Sequence, residues 1–283
     1  NGVTAICEDR DGIVWIGTEL NGLNRLDMKN DNFTNYIHDP NNKYSITSDG
    51  VSDIKEDRDG NLWVVTDGYG FCRFDKKNNK FIRYQNNPND NNSLPIDQVS
   101  VLLDDNYGDL FVGTFGAGLL KYDRKKNTFI KINYNPNEPN DITAAGIYCL
   151  TEDVNGTLWI GTYSNGLFIY DRKSGKSKWY YNIPGDAESI SDNIISAILI
   201  RKDGTVFIGT SNGLNKFDPI KEKFKRITES DGLPNNTIYG ILEDDKENLW
   251  ISTNKGLSKF NPAKGTFENY NEADGLQSDE FNQ

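Results

Sequence analysis

Short apolar segments separated by polar turns recur along the whole chain of 283 residues. In the first copy the pattern runs from Val3 to Thr18, continues over 21–27 and ends at 33–36, and it contains four short strand candidates. No helical period persists, and no segment approaches the ~18 apolar residues of a membrane-spanning helix. The pattern therefore predicts an all-β chain made of short strands.

The pattern returns at a fixed period. Turns of the Asp-Gly type, or a close equivalent, place a glycine every 48 residues, at Gly12, Gly60, Gly108, Gly156 and Gly204. A sixth copy surrounds 250–253, and there 246–248 departs from the Asp-Gly pattern. A period of about 40 to 50 residues with four strands per copy is typical of β-propeller blades.

We therefore predict a β-propeller of four-stranded antiparallel blades, with six repeats visible, as a single domain over 1–283. The predicted repeats are approximately 1–48, 49–96, 97–144, 145–191, 192–235 and 236–275, with 276–283 starting a further inner strand. The first strand of each repeat, apolar over 198–200 in the fifth copy, is expected to be innermost and covered on both faces. The second strand carries a Trp or Phe that should pack between blades, and the fourth should be an exposed edge.

The charge of the chain limits its partners. A formal net charge of −11, from 42 acidic and 31 basic residues, argues against a surface that follows a phosphate backbone. We therefore do not expect nucleic-acid binding. Membrane contact by this region is not expected either. Basic residues such as Arg124 are scattered and should lie on a solvated rim, and no basic patch stands out.

Candidates for catalysis are scarce. His38 is the single histidine and falls in a polar loop after the fourth strand of the first repeat, so a base–nucleophile pair or a histidine metal site is not expected. Cys7, Cys72 and Cys149 lie in separate repeats and should be small buried residues without a mutual disulfide. No catalytic or metal-binding residue is predicted.

Most carboxylates recur once per repeat. They follow the first strand at Asp9, Asp57, Asp105 and Asp153, and the third at Asp27, Asp75, Asp123, Asp171 and Asp218. Acids repeated in every blade are best explained as turn residues. Calcium is the one candidate cofactor. The Asp-Gly turns lack the later bidentate Glu of a calcium loop, and the Asn- and Asp-rich loops between repeats are a slightly better candidate. No cofactor is otherwise expected.

The residues 152–162, Glu-Asp-Val-Asn-Gly-Thr-Leu-Trp-Ile-Gly-Thr, followed by Asn-Gly-Leu-x-x-Phe/Tyr-Asp, resemble the repeat of the two-component regulator propeller family. The resemblance implies the periplasmic or extracytoplasmic sensor region of a hybrid histidine kinase of the kind found in Bacteroidetes that forage polysaccharides. In that family seven-bladed rings are usual, and a β-sandwich module, a membrane helix and a kinase follow. The segment 271–282 parallels 228–238 and reads as the approach to another inner strand.

Ligand contacts are expected on loops that differ between repeats. We predict Tyr69, Phe115 and Tyr163 as aromatic contacts, with Asp67, Asn165 and Asn193 as polar neighbours. Aromatic faces beside amides and carboxylates suit sugars.

Three hypotheses follow from these residues and from the resemblance. The first is a non-enzymatic sensor that binds oligosaccharide or another small ligand, contacts a neighbouring propeller or β-sandwich domain, and acts as a homodimer. The second is a propeller lyase of the streptogramin-inactivating kind. The third is a purely structural interaction propeller.

Overall fold

The computed structural model describes residues 2–132, 142 and 145–280. In this part of the chain 24 strands form six four-stranded antiparallel sheets, each with its strands in sequence order. The fold is a β-propeller of six four-stranded blades, which confirms the predicted fold class. Blade 1 is β1 (Val3–Glu8), β2 (Val14–Thr18), β3 (Leu23–Asp27) and β4 (Asn32–Tyr36).

The other blades follow the same order. Blade 2 is β5 (Val51–Glu56), β6 (Leu62–Thr66), β7 (Phe71–Asp75) and β8 (Lys80–Tyr84), and blade 3 is β9 (Val99–Asp104), β10 (Leu110–Thr114), β11 (Leu119–Asp123) and β12 (Thr128–Lys131). Blade 4 is β13 (Ile147–Glu152), β14 (Thr157–Thr162), β15 (Leu167–Asp171) and β16 (Lys176–Tyr180). Blade 5 is β17 (Ile195–Ile200), β18 (Val206–Thr210), β19 (Gly213–Asp218) and β20 (Lys223–Ile227), and blade 6 is β21 (Ile238–Glu243), β22 (Leu249–Thr253), β23 (Gly256–Asn261) and β24 (Thr266–Tyr270).

The chain divides into two compact units, Asn1–Ile147 and Tyr148–Gln283. The first holds blades 1 to 3, the second holds blades 4 to 6, and the division falls at the first residue of β13. After β24 a one-turn 3₁₀ helix spans Glu272–Asp274. The amide of Gly256 then donates to the carbonyl of Asp279, and residues 276–280 form no strand. The rest of the predicted inner strand, 281–283, lies outside the described residues.

The turns between the first and second strands, and between the third and fourth, form what we call the hairpin end of each blade. In blade 2, Asp57 Oδ1 accepts from the amides of Asp59 and Asn61, and Oδ2 accepts from Nε1 of Trp63 at 2.8 Å. Gly60 takes a φ of 80° that a side chain would resist. The repeated aspartate thus holds its own turn and fixes the neighbouring tryptophan, as a turn residue should.

The irregular turn of blade 6 keeps this design. Asp244 accepts from the amides of Lys246 and Asn248 and from Nε1 of Trp250, and Glu247 takes the positive φ of 65°. Hydrogen bonds led by that from the Asn248 side chain lower the pKa of Asp244 to about 2. The register of blade 6 is therefore the same as in its neighbours.

The loops between the second and third strands, and those that lead to the next blade, form the loop end. In blade 2, Thr66 Oγ1 donates to the carbonyl of Gly70, and the Gly70 amide donates to the carbonyl of Asp97 at 2.8 Å. Gly70 has a φ of 76°, and a Cβ there would overlap the carbonyl oxygen of Tyr84. Only glycine fits this close approach of two backbone segments.

The first strand, expected to be covered on both faces, is less covered than the second. The second strands β6 (Leu62–Thr66) and β10 (Leu110–Thr114) are buried at every residue, whereas β17 (Ile195–Ile200) is buried only at Ile195. One reason is that the second strand pairs with a strand on each side. The first strand has a ladder partner on one side only.

Aromatic residues of the second strand pack between blades, as predicted, and they contact aromatic residues of the third strand of the next blade. Trp15 of blade 1 is 1% exposed, and its ring lies 5.2 Å from that of Phe74 of blade 2. In the second unit Trp159 of blade 4 contacts Phe217 of blade 5 at 5.4 Å. Burying large apolar side chains of this kind contributes roughly 1.5–3 kcal/mol each. Within each unit, these contacts make neighbouring blades depend on each other.

Blade 1 differs from the other blades in one respect. Val3 and Ile6 of β1 are 58% and 68% exposed, although the residues at the same register positions in blade 2, Val51 and Ile54, are 1% and 3% exposed. The chemistry of the positions is alike, but their surroundings are not. Sequence pattern alone does not distinguish these two settings.

Candidate functional site

The first unit places three predicted contact residues at its loop end. Asp67 and Tyr69 lie in the loop between β6 and β7, and Tyr69 is 56% exposed. Asp67 is exposed, and its backbone amide donates to the carbonyl of Gly50. Phe115 lies in the corresponding loop of blade 3, is 39% exposed and pairs with Gly146 in an isolated bridge. These loops are fixed by their backbones and present their side chains outward.

The second unit brings the other three predicted residues together. Tyr163 and Asn165 share the loop between β14 and β15, and the amide of Asn165 donates to Thr162 Oγ1 at 2.8 Å. The amide of Gly166 in that loop donates to the carbonyl of Asn193 at 2.9 Å. The loop between β14 and β15 is therefore joined to the loop that precedes β17.

Asn193 has a structural role that the sequence analysis did not assign to it. Its Oδ1 accepts from the amide of Asn182 at 2.7 Å. The same bond recurs in other blades, with Asp49 accepting from His38 and Asp97 from Asn86. Asn193 thus belongs to the repeated scaffold. Its side chain braces the loop before an inner strand.

Two tyrosines missed by the sequence analysis complete the site in the second unit. The ring of Tyr148, at the second position of β13, stacks on that of Tyr163 at 6.0 Å with an interplanar angle of 22°. Burial raises the pKa of the Tyr148 hydroxyl, with smaller electrostatic contributions from Cys149, Tyr239 and Tyr163. Tyr239 holds the same strand position in blade 6, and its hydroxyl donates to Asn254 Oδ1 at 2.9 Å.

The signal for these tyrosines was present in the sequence. The second residue of the first strand is a small hydroxyl residue in four blades, namely Thr4, Ser52, Ser100 and Ser196, and a tyrosine in the other two. Ligand contacts were expected only on loops, so this change inside a strand was missed. We call Tyr148, Tyr163, Asn165, Tyr239 and Asn254 the tyrosine cluster.

Two clefts lie at the hairpin end, one in each unit. In the first unit a cleft of about 600 Å³ is lined by aromatic and charged side chains, including Trp15, Tyr36, Arg25 and Asp27. In the second unit a cleft of about 480 Å³ lies along blade 5. None of the six predicted contact residues lines either cleft. The flat aromatic surfaces and the deeper clefts are therefore at opposite ends of the blades.

The hairpin end also carries ion pairs between blades. Arg124 Nη1 lies 2.6 Å from Asp57 Oδ2, and its Nη2 lies 2.8 Å from Asp104 Oδ1, so the expectation of a solvated rim is wrong for this residue. Burial raises the pKa of Asp57, but hydrogen bonds from Arg124, Trp63 and the Asn61 side chain outweigh it and leave that pKa below its usual range. The aspartate remains ionised and satisfied.

Other candidates for chemistry are engaged in structure. His38 lies between β4 and β5, and its Nδ1 is 2.8 Å from the carbonyl oxygen of Ile46. Cys7, Cys72 and Cys149 are free thiols; Cys72 is buried and the other two are partly covered. In the described part of the chain, no group of three His, Cys, Asp or Glu side chains is placed to hold a metal ion. The same residues contain no helix long and apolar enough to cross a membrane.

Comparison with known proteins identifies the repeat. The family described as two component regulator propeller matches residues 1–19, 45–68, 141–164 and 232–255. These four segments resemble the two-component regulator propeller repeat. No curated protein matches the sequence.

Solved structures agree on the fold. The extracellular domain of BT3049 of B. thetaiotaomicron, assigned to a hybrid two component system, is 24% identical with a TM-score of 0.81; the match covers 99% of this chain and 36% of that one. The corresponding domain of BT4673 is 18% identical with a TM-score of 0.59, covering 95% and 43%. Virginiamycin B lyase from Staphylococcus aureus is 15% identical with a TM-score of 0.69, covering 95% and 84%. At these identities the likeness shows the propeller fold alone, and the chain spans less than half of either B. thetaiotaomicron structure.

Proposed function

We propose that this chain is the extracytoplasmic ligand-sensing propeller of a two-component system and that it detects an oligosaccharide. The matching family is described as a two component regulator propeller, and this description supports a sensing or interaction role. Similarity to extracellular domains of two hybrid two component systems supports the compartment. The function is a property of a longer protein, of which this chain would be the recognition part.

The tyrosine cluster is the observation that carries the ligand class. Tyr163 is 54% exposed yet held by stacking on Tyr148, so its ring is presented in a fixed orientation. Asn165 lies two positions along in the same loop, and its residue is exposed. A rigid aromatic face with amide groups beside it suits the C–H surface and the hydroxyls of a sugar ring. The small loss of side-chain freedom on binding favours affinity.

Signalling requires that the ligand bind two arrangements of the protein with different affinity. The blades within each unit are tightly packed, so the unit that binds the ligand would act as a rigid element that transmits binding to its contacts. Those contacts would be a neighbouring propeller or β-sandwich domain of the same protein, or a second copy in a homodimer.

A lyase function has no comparable support. A histidine-to-alanine variant of virginiamycin B lyase is catalytically inactive. The single histidine of this chain, His38, lies in the loop between β4 and β5 with its ring nitrogen on the Ile46 carbonyl. We therefore propose a non-enzymatic region.

The experiment is a thermal-shift screen of this chain against plant, host and microbial oligosaccharides, followed by titration of any hit. A ligand that binds the native state at about 100 times its Kd stabilises it by about 2.7 kcal/mol. Tyr163→Ala and Tyr148→Ala should abolish a saturable shift. Tyr107→Ala, an exposed tyrosine at the hairpin end of blade 3, is the matched control and should retain it.

Two results would count against the proposal. A glycan whose binding survives both tyrosine substitutions would place the site elsewhere. Absence of any shift across the panel, with a cooperatively unfolding sample, would instead favour the purely structural propeller.

A further inference from the structure

The cleft along blade 5 has an unusual charge for this acidic protein. It has a volume of about 480 Å³ and lies at the hairpin end, between the turn of β17 and β18 and the strands β19 and β20. Four lysines line it: Lys216, Lys221, Lys223 and Lys225. The carboxylates that line it are three: Glu188, Asp203 and Asp218. Its volume is within the range of about 300–1,000 Å³ that small-molecule sites occupy.

The strand register places two of these lysines directly opposite each other. Lys216 of β19 pairs with Lys225 of β20 in the antiparallel ladder. The equivalent pair in blade 6 is Lys259 and Glu268, whose side chains form an ion pair at 3.2 Å. Like charges directly opposite each other destabilise a sheet, and opposite charges stabilise it.

The other blades avoid this arrangement as well. The equivalent cross-strand pairs are Arg25–Thr34, Arg73–Ile82, Lys121–Ile130 and Ile169–Lys178, each with one cation and one neutral residue. Blade 5 is thus the one blade among the six described in which two cations occupy this register position.

Ion pairs inside the cleft neutralise its other two lysines. Lys223 Nζ lies 3.5 Å from Glu188 and 3.7 Å from Asp186, and Lys221 Nζ lies 4.0 Å from Asp218. In the described part of the chain, by contrast, no carboxylate oxygen lies within 4.0 Å of Nζ of Lys216 or Lys225. Both residues are exposed, and no ion pair among the described residues fixes either ammonium group. Lys216 acts on one carboxylate of the cleft at longer range: hydrogen bonds from Thr205 chiefly lower the pKa of Asp203, and the charges of Arg201 and Lys216 add to this effect.

We propose that the blade 5 cleft is an anion-binding site, in which Lys216 and Lys225 together hold an oxyanion group of a small ligand. An anion between two opposed lysines removes their repulsion and gains two charge-assisted hydrogen bonds. Lysine recognises such a group as a point charge, so phosphate, sulfate and carboxylate share the required chemistry. The site lies at the hairpin end and is independent of the tyrosine cluster and of the function proposed for it.

The test uses three probes: inorganic phosphate, inorganic sulfate and glucuronate. Each is titrated into the chain by isothermal calorimetry, with ionic strength held constant by sodium chloride so that general salt screening does not contribute. The probe that binds most tightly identifies the oxyanion class.

The key variant is Lys225→Glu, which installs in blade 5 the lysine–glutamate pair of blade 6. It should raise the Kd of the bound probe about tenfold or more, since a hydrogen bond between charged groups contributes about 1.5–3 kcal/mol. Lys225→Gln removes the charge without reversal and should weaken binding as well. Lys77→Glu, an exposed lysine in the turn between β7 and β8, makes the same change of charge elsewhere and should leave the Kd unchanged.

Thermal unfolding of each variant checks its fold, and Lys225→Glu should be at least as stable as the parent chain. Binding lost in both Lys225 variants and kept in Lys77→Glu supports the site. The proposal is overturned if no probe binds, or if Lys77→Glu weakens binding as much as Lys225→Glu does.

Discussion

Replacing Asp57 by Asn tests the coupling between a turn, a buried tryptophan and an ion pair between blades. The side chain of Asp57 is 1% exposed and accepts from Trp63 Nε1 at 2.8 Å and from Arg124 Nη1 at 2.6 Å. An asparagine can still accept the turn amides through Oδ1. Its Nδ2, however, would turn a donor toward the Trp63 and Arg124 donors. We therefore expect destabilisation without a change of turn type.

The magnitude follows from the two bonds lost. A hydrogen bond to a charged group contributes about 1.5–3 kcal/mol, and removing one partner of a buried ion pair costs about 3–5 kcal/mol. Because the Arg124 side chain is 25% exposed, solvent offsets part of its loss. We expect about 3 kcal/mol in all, or a Tm lowered by about 6–12 °C for a chain of this size.

Asp153→Asn provides an internal control. Asp153 holds the same turn position in blade 4 and accepts from the amides of Asn155 and Thr157. Nε1 of the corresponding tryptophan, Trp159, is buried and has no hydrogen-bond partner among the described residues. The substitution removes neither a tryptophan bond nor an ion pair. It should therefore cost less than about 1 kcal/mol.

Calorimetric and urea unfolding of the two variants measure these differences, and their pH dependence gives a second readout. The pKa of Asp57 is lower in the folded chain than its unfolded value of about 3.9, so its stabilisation is present above about pH 4 and is lost as the pH falls through the folded pKa. The gap between Asp57→Asn and the parent chain should narrow on acidification. Equal losses in Asp57→Asn and Asp153→Asn, or a gap that widens in acid, would refute the reasoning.

Two further predictions concern burial. Ile54→Ala should cost about 2–4 kcal/mol and Ile6→Ala less than about 1 kcal/mol in urea unfolding, because the first side chain is 3% exposed and the second 68%; similar costs would show that the two positions have the same surroundings. Iodoacetamide at pH 8 should label Cys72 and Cys149 far more slowly in the native chain than in urea, since burial raises their pKa values to about 11 and about 12 and reduces the thiolate. Mass spectrometry after timed quenching measures each site, and native labelling as fast as in urea would contradict the prediction.

Much of the fold could be predicted because its signals are local. The Asp-Gly turns depend on φ values and hydrogen bonds within a few residues, as Asp57 and Gly60 show. The departure from the Asp-Gly pattern at 246–248 does not change the turn of blade 6, for the same reason. Asp244 and Glu247 satisfy the local geometry without the glycine.

The site was predicted only in part. Exposed aromatic residues were found at the expected loops, since Tyr69 and Tyr163 interrupt a repeated pattern. Tyr148 was missed because its register position, inside a strand, becomes meaningful only when its stacking on Tyr163 is known. Asn193 was predicted as a ligand contact because the hydrogen bond that its side chain accepts in the loop is not visible in the sequence.

The repeat, the strand order within each blade and the turn chemistry follow from the chain alone, because each needs only neighbouring residues. Which side chains meet between strands and between blades was decided by the tertiary structure. Arg124 reaches Asp57 across 67 residues, and Lys216 faces Lys225 rather than an acid, because register and blade packing set these distances. At one register position a lysine forms an ion pair with a glutamate in blade 6 and faces another lysine in blade 5.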